Sequence, residues 1–331
     1  MEFLYEYGLF LAKTATLVLA IGLVVGLIAG AAAAKNKAKK GQLQFIDLTK
    51  HYQSMAEEMQ QHLLEKKQFK QWQKAQRAVK PDHRAKLFVL DFNGSLDARE
   101  TESLREEVTA ILAVASKEDE VLLRLESGGG VVHGYGLAAS QLDRLRQHPL
   151  NLTVAIDKVA ASGGYMMACI GNTILAAPFA IVGSIGVIAQ LPNFNKLLKK
   201  HNVDFEQFTA GEYKRTVTLF GENTDKGRQK FQHELEDTHR LFKQFVLQHR
   251  PQLDIDKVAT GEHWFGHQAL GLNLVDTIQT SDDYILTQMS QRQVFQVKYQ
   301  LRKGIAEKVG MGSASIISHY WQRLIQHSWI R

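Results

Sequence analysis

Between residues 86 and 176 the chain alternates short apolar runs with longer amphipathic ones. "KLFVLDF" (86–92), "EVLLRLE" (120–126), "LTVAID" (152–157) and "NTILAA" read as strands. The stretches between them read as helices. "ETESLREEVTAILAVASK" (100–117) has acids in its first turn and Leu104, Val108, Ile111 and Leu112 along one face, and "GYGLAASQLDRLRQH" follows the next strand. Near-continuous apolar strands separated by helices leave few solutions. An α/β fold, with a mostly parallel sheet covered by helices, is the one that buries them. "SIGVIAQ" and a stretch near "VDFEQFTA" read as further strands. "KGRQKFQHELEDTHRLFKQFVLQHR" reads as a long helix stopped by Pro251. From about residue 290 the patterning is weaker, with a final amphipathic piece, "ISHYWQRLIQHSWI".

In a parallel α/β sheet, reactive groups gather where strands end and helices begin. Two such turns stand out. "ESGGGVVHG" (126–134) has three consecutive glycines after a strand, which lets the backbone turn sharply and leaves its N–H groups bare. "KVAASGGYMMAC" (158–169) places Ser162 between a strand and a helix. Ser162 is either a helix N-cap or a nucleophile. If it attacks a carbonyl, the N–H of Gly163 and one from Gly129 or Gly130 form an oxyanion hole. The surroundings are not the G-x-S-x-G elbow, and the thirteen histidines are scattered without an obvious acid partner. His133, beside the first glycine turn, reads as a surface histidine. A lysine desolvated in an apolar pocket is the other kind of base, because burial disfavours the ammonium. Lys158 and Lys214 are both candidates, and the residues alone do not choose between them.

Residues 14–34, "TATLVLAIGLVVGLIAGAAAA", carry no charge. At ~1.5 Å per residue this run extends roughly 30 Å, the thickness of a bilayer core. The preceding "MEFLYEYG" carries Glu2 and Glu6 rather than positive charge, which favours a retained single-span anchor over a cleaved signal peptide. Lys35, Lys37, Lys39 and Lys40 follow the run, so the positive-inside rule puts the bulk of the chain in the cytoplasm. The net charge of +6 owes much to these lysines and to residues 65–80, where Phe69 and Trp72 are the sole aromatics. No nucleic-acid motif accompanies them, and no nucleic-acid partner is expected. Leu48, Tyr52, Met55 and Met59 recur at helical spacing behind Asp47, a candidate N-cap. That stripe suits either a short coiled coil between protomers or a helix packed on its own domain. The single cysteine, Cys169, lies in an apolar run and reads as a buried structural thiol.

Five segments together carry a resemblance: "RLESGGGVVHGYGLAASQL", "DKVAASGGYMMAC", "APFAIVGSIGV", "TAGEYKRTVTLFGENT" and "ATGEHWFGHQALGLNLVD". They resemble the signal peptide peptidase A family of serine peptidases. The resemblance implies a ClpP/crotonase-like fold of repeated ββα units, here preceded by a single N-terminal transmembrane helix. It implies a Ser–Lys dyad, with Ser162 matching the nucleophile and Lys214 the general base. It also implies a bacterial inner-membrane location, a peptide or protein substrate, a homo-oligomer, and no metal or organic cofactor. The family's better-known members work outside the cytoplasm, so the membrane side stays open. Ser184, Ile185, Gly186 and Val187 are expected either to line the substrate groove or to form a plain buried strand. Two departures stand out. Ser127-Gly128-Gly129-Gly130 replaces the family's Ser-Pro-Gly-Gly, and Asn273 stands where a helix-ending glycine is usual.

The expected organisation is an anchor with its basic flank (1–40), a charged helical linker (41–82), a serine endopeptidase domain (83–289) and a tail (290–331). A non-catalytic membrane scaffold that keeps the fold is the alternative, and acyl-CoA chemistry of the crotonase type is a distant third.

Overall fold

The computed structural model describes residues 7–11, 13–19, 41–78 and 85–300. Leu43–Tyr299 form one compact unit. Its strands are β1 (Gln42–Asp47), β2 (Lys86–Asn93), β3 (Glu120–Glu126), β4 (Asn151–Ile156), β5 (Val159–Ala161), β6 (Thr173–Ala176), β7 (Ile181–Gly183), β8 (His263–Phe265), β9 (Thr277–Ile278) and β10 (Gln293–Gln300). Its helices are α1 (Leu48–Leu63), α2 (Lys66–Ala78), α3 (Thr101–Leu112), α4 (Val132–Gln147), α5 (Gly163–Ala168), α6 (Asn195–Lys200), α7 (Asp225–His249), α8 (Ile255–Val258), α9 (Gly266–Gly271) and α10 (Ser281–Gln288).

Seven strands form the main sheet in the order β1-β10-β2-β3-β4-β6-β9, and the pairs from β10 through β9 are parallel. β2 shows why. Its alternate residues face two hydrophobic clusters: Phe88, Leu90 and Phe92 join one with α3 and α4, while Leu87 and Val89 join the other with Ile285 of α10. A strand buried on both faces is apolar throughout and belongs at a sheet centre. On α3, Leu104, Val108 and Ile111 are almost fully buried. Each contributes about 1.5–3 kcal/mol of apolar burial. The α/β architecture expected from the alternation is present.

A second, small sheet runs β5-β7-β8. The chain enters it directly after β4 and again after β6. Ser127, just past β3, joins it through a parallel bridge to Ala160. The Ser127 N–H donates to the Val159 carbonyl at 2.8 Å, and the Ala161 N–H donates to the Ser127 carbonyl at 3.0 Å. This bridge lays the two glycine turns side by side.

Several expectations change. No strand forms at 203–210, and that stretch is exposed. β7 ends at Gly183 because Ser184 turns away with φ 52°, so "SIGVIAQ" is not a continuous strand. Residues 42–47 and 293–300, read as linker and tail, are strands of the main sheet. On α1 the stripe divides: Leu48 and Tyr52 pack against the sheet cluster, while Met55 and Met59 are exposed. Asp47 caps α1, accepting from the Lys50 N–H at 2.9 Å. Asn273 adopts φ 60° directly after α9, as a helix-ending glycine would. Among the described residues no helix is long and apolar enough to cross a membrane. Residues 13–19 are helical. The rest of the 14–34 run, the lysine flank and residues 301–331 lie outside the described residues.

Candidate active site

Ser162 sits between β5 and α5 with φ 52° and ψ −118°. For a residue with a β-carbon this is a sparsely populated conformation that costs about 1–3 kcal/mol. The surroundings impose it. The Ser162 N–H donates to the Gly183 carbonyl at 2.8 Å, and the Ser162 carbonyl accepts from the Met166 N–H at 3.0 Å. The side chain makes no capping hydrogen bond. Ser162 occupies the N-cap position through its carbonyl alone, and its hydroxyl caps nothing. A sharp, strained strand-to-helix turn is the setting in which α/β enzymes present a nucleophile, although the flanking residues here differ from their elbow.

Gly129, at φ 87°, lies directly on this turn: a β-carbon there would fall 2.8 Å from both Ser162 Cβ and the Gly163 nitrogen. Only glycine tolerates both that conformation and that approach. The three candidate N–H groups differ. That of Gly129 donates to Ser127 Oγ at 3.1 Å. Those of Gly130 and Gly163 have no hydrogen-bond acceptor among the described residues. Gly163 packs face-on against Tyr135, where an added β-carbon would lie 2.5 Å from the ring.

Gly130, Ser162 and Gly163 open onto one cavity of about 290 Å³. Its apolar wall comes from Met166, Leu241, Phe242 and Phe245, the last three from the long helix α7. Of the four expected groove residues, Gly186 and Val187 line this cavity. Ile185 is fully buried, and its carbonyl accepts from His239 Nε2–H at 3.2 Å. Ser184 is half-buried, and its N–H donates to the Glu262 carbonyl at 2.7 Å. Tyr135 is the one titratable side chain in the cavity wall. Its hydroxyl is committed to the Ser95 carbonyl at 2.9 Å, and burial pushes its phenol pKa upward. No base for Ser162 lies in the wall.

Lys158 is exposed, and its ammonium is paired with Glu126 at 2.9 Å. Lys214 lies in the stretch 203–223, which contains no helix or strand. It is exposed, and its backbone N–H donates to the Gly211 carbonyl at 3.1 Å. Neighbouring side chains are tied to α7: Glu212 pairs with Lys226 at 2.6 Å, and Lys230 sits over the Tyr213 ring. No described contact joins Lys214 to Ser162, and the apolar enclosure a basic lysine requires is missing around it. His133 is exposed, as expected. Cys169 is fully buried and its thiol is pushed up to about 12 by that burial, which makes it inert, also as expected. The sequence assigns no role to Ser127 and does not single out Tyr135. Both look ordinary in a glycine-rich turn and an amphipathic helix, and only the bridge to Ala160 brings them to the site.

Comparison with known proteins gives this geometry a family. Residues 2–142 match the model for the N-terminal part of peptidase family S49, and residues 144–295 match that for peptidase family S49. "Probable protease SohB" of Haemophilus influenzae is 54% identical, covering 93% of this chain and 92% of that one. "Probable protease SohB" of Buchnera aphidicola subsp. Schlechtendalia chinensis is 50% identical, covering 87% of this chain and 100% of that one. A solved mutant of the 1510-N membrane-bound stomatin-specific protease, in complex with a substrate peptide, overlaps at a TM-score of 0.44 and 9% identity, covering 69% of this chain and 97% of that one. With relatives this similar over nearly its whole length, the chain belongs to peptidase family S49 and is a serine peptidase.

Proposed function

We propose that this chain is a membrane-anchored serine endopeptidase of ClpP/crotonase-like architecture that works through a Ser162–Lys214 dyad. Ser162 Oγ attacks the scissile carbonyl. Lys214 Nζ, in its neutral form, takes the hydroxyl proton and returns it to the leaving amine. The oxyanion is held by the N–H groups of Gly130 and Gly163, because that of Gly129 is already bonded to Ser127. Water then hydrolyses the acyl-enzyme with the same lysine as base. The apolar cavity takes an uncharged side chain of an unfolded or membrane-released peptide, with Gly186 and Val187 along its edge. The 14–34 run anchors the chain in the bacterial inner membrane, and the active form is a homo-oligomer.

One observation carries this reading: a serine forced to positive φ, with no capping bond, beside two unpaired N–H groups at the mouth of an apolar cavity. Exposure of Lys214 adds a requirement. The 203–223 stretch has to close over the cavity, desolvating the amine as it does so. Phe208 (90% exposed) and Tyr213 (47% exposed) flank Lys214 and would be covered in that closure. Hydrolysis of a casein-like substrate tests the reading. Folded Ser162→Ala and Lys214→Ala proteins should each be inactive, and wild-type rates from either would overturn the dyad. Mixing the two inactive proteins then shows where the lysine comes from. Activity regained on mixing means that the dyad spans two copies, whereas none regained means that it closes within one.

A further inference from the structure

The first glycine turn is held by a hydrogen-bonded chain that the catalytic reading does not use. The Gly129 N–H donates to Ser127 Oγ at 3.1 Å, Ser127 Oγ lies 2.5 Å from Tyr135 Oη, and Tyr135 Oη donates to the Ser95 carbonyl at 2.9 Å. Both ends fix its direction. An amide N–H only donates and a carbonyl only accepts, so Ser127 donates to Tyr135 and Tyr135 to Ser95. Ser127 is 2% exposed and Tyr135 0%. A one-way chain in so dry a place is strengthened cooperatively, and breaking either hydroxyl leaves buried partners unpaired. Gly94 closes the far side: a β-carbon there would lie 2.7 Å from Ser127 Oγ. At its working end the chain grips Gly129, the residue that sits on Ser162 and precedes Gly130.

Gly128 gives no such support. A β-carbon there would meet nothing within 4 Å, and its N–H has no acceptor among the described residues. The backbone between Ser127 and Gly129 is therefore limited by neither packing nor a bond of its own, and a glycine in that position is the most freely rotating residue available.

We propose that Ser127 and Tyr135 are positioning residues whose hydroxyl relay holds Gly129, and through it the Gly130 N–H, at the oxyanion position of Ser162. The proposal rests on Ser162 as nucleophile and Gly130 as oxyanion donor. Loss of a donor outright costs about 10²–10³ in kcat in known enzymes, so loosening one should cost about tenfold.

The test is steady-state kinetics of the detergent-solubilised full chain on a fluorogenic peptide with an apolar residue before the scissile bond. Tyr135→Phe keeps the ring that packs on Gly163, and Ser127→Ala cuts the same relay at its other member. Each should lower kcat about tenfold and leave KM within about twofold, the pattern of an interaction made only in the transition state. The double variant should be no slower than the singles, because both remove one unit. Gly128→Pro added to Ser127→Ala should recover kcat severalfold, since proline fixes φ at 128 without the relay, and Ser127 is already extended as a residue before proline prefers. Wild-type kcat in both single variants, multiplied losses in the double variant, or a change in KM alone would overturn the proposal. Ser162→Ala, measured beside them, separates the two levels. If it is inactive while the relay variants keep wild-type kcat, the relay alone has failed. If it retains activity, the nucleophile assignment falls and the relay with it.

Discussion

The two residues of the proposed dyad sit in regions of opposite character. Ser162 is held by two backbone hydrogen bonds, by the approach of Gly129 and by a core that buries every residue of α5. Lys214 is exposed, in a stretch with no helix or strand. In the proposed mechanism the nucleophile and its oxyanion donors are prepared at folding, whereas the base has to be placed afterwards. Strain of the kind seen at Ser162 persists only where the surroundings over-determine it. The Lys214 stretch is held by surface ties, Glu212 to Lys226 and Asn193 to the Thr218 and Gly221 carbonyls, rather than by a core, and belongs to the low-stability end of the molecule.

Substitutions on the two sides should break apart most visibly in how activity and folding are coupled. Lys214→Arg should lower kcat/KM by at least about 10³-fold, because guanidinium stays protonated and cannot accept the serine proton. Its thermal melting should match wild type, since Lys214 packs against nothing described. Gly163→Ala should lose activity and, by about 1–3 kcal/mol, stability together, because the new β-carbon runs into the Tyr135 ring. A Lys214→Arg protein that melts early, or a Gly163→Ala protein that melts normally, would erase the distinction.

Limited proteolysis reads the same contrast without substitution. Trypsin should cut the native protein first at Lys214 or Arg215, well before any site between Arg124 and Arg146. First cuts at Lys158 or Arg146 would reverse the assignment of rigid and loose regions.

A buried group far from both supplies a control. Glu107 is almost fully buried and accepts from the Tyr299 N–H at 2.7 Å; burial raises its pKa to about 7. The folded carboxyl holds its proton where the unfolded one has lost it. Stability should therefore fall as pH rises from about 4.5 to about 7 and then level off, with a total loss of up to about 3 kcal/mol. Glu107→Gln should flatten that slope, seen in melting curves at pH 5 and pH 8, and leave the pH dependence of kcat unchanged. A shifted rate profile would tie Glu107 to the site.

The smallest effect concerns the strain itself. Ser162→Gly should be about 1 kcal/mol more stable than Ser162→Ala, because glycine accepts φ 52° without penalty. Equal melting temperatures would mean that the turn carries no strain.

Much of this was legible in the sequence, for identifiable reasons. β2, β3 and β4 announce themselves because strands buried on both faces read as near-continuous apolar runs. Ser162, Gly129, Gly130 and Gly163 were legible as a strand-to-helix constellation. What was not legible depends on pairing across distance. The stretch near "VDFEQFTA" reads as a strand but finds no sheet edge. The weaker pattern of "QVFQVKYQ" conceals β10 because β2 offers it a parallel partner. The Ser127–Tyr135 bond depends on a bridge to Ala160 that no local signal marks, and the exposure of Lys214 depends on the absence, among the described residues, of anything folded over it.

The most direct measurement of the central claim is covalent labelling with a fluorophosphonate probe, followed by peptide mapping. The account predicts that the wild-type protein is labelled at Ser162 alone, that Ser162→Ala takes up no label, and that Lys214→Ala is labelled at Ser162 at least about 10²-fold more slowly, as expected for a nucleophile deprived of its base. Label on a different serine, or an undiminished labelling rate in Lys214→Ala, would contradict it.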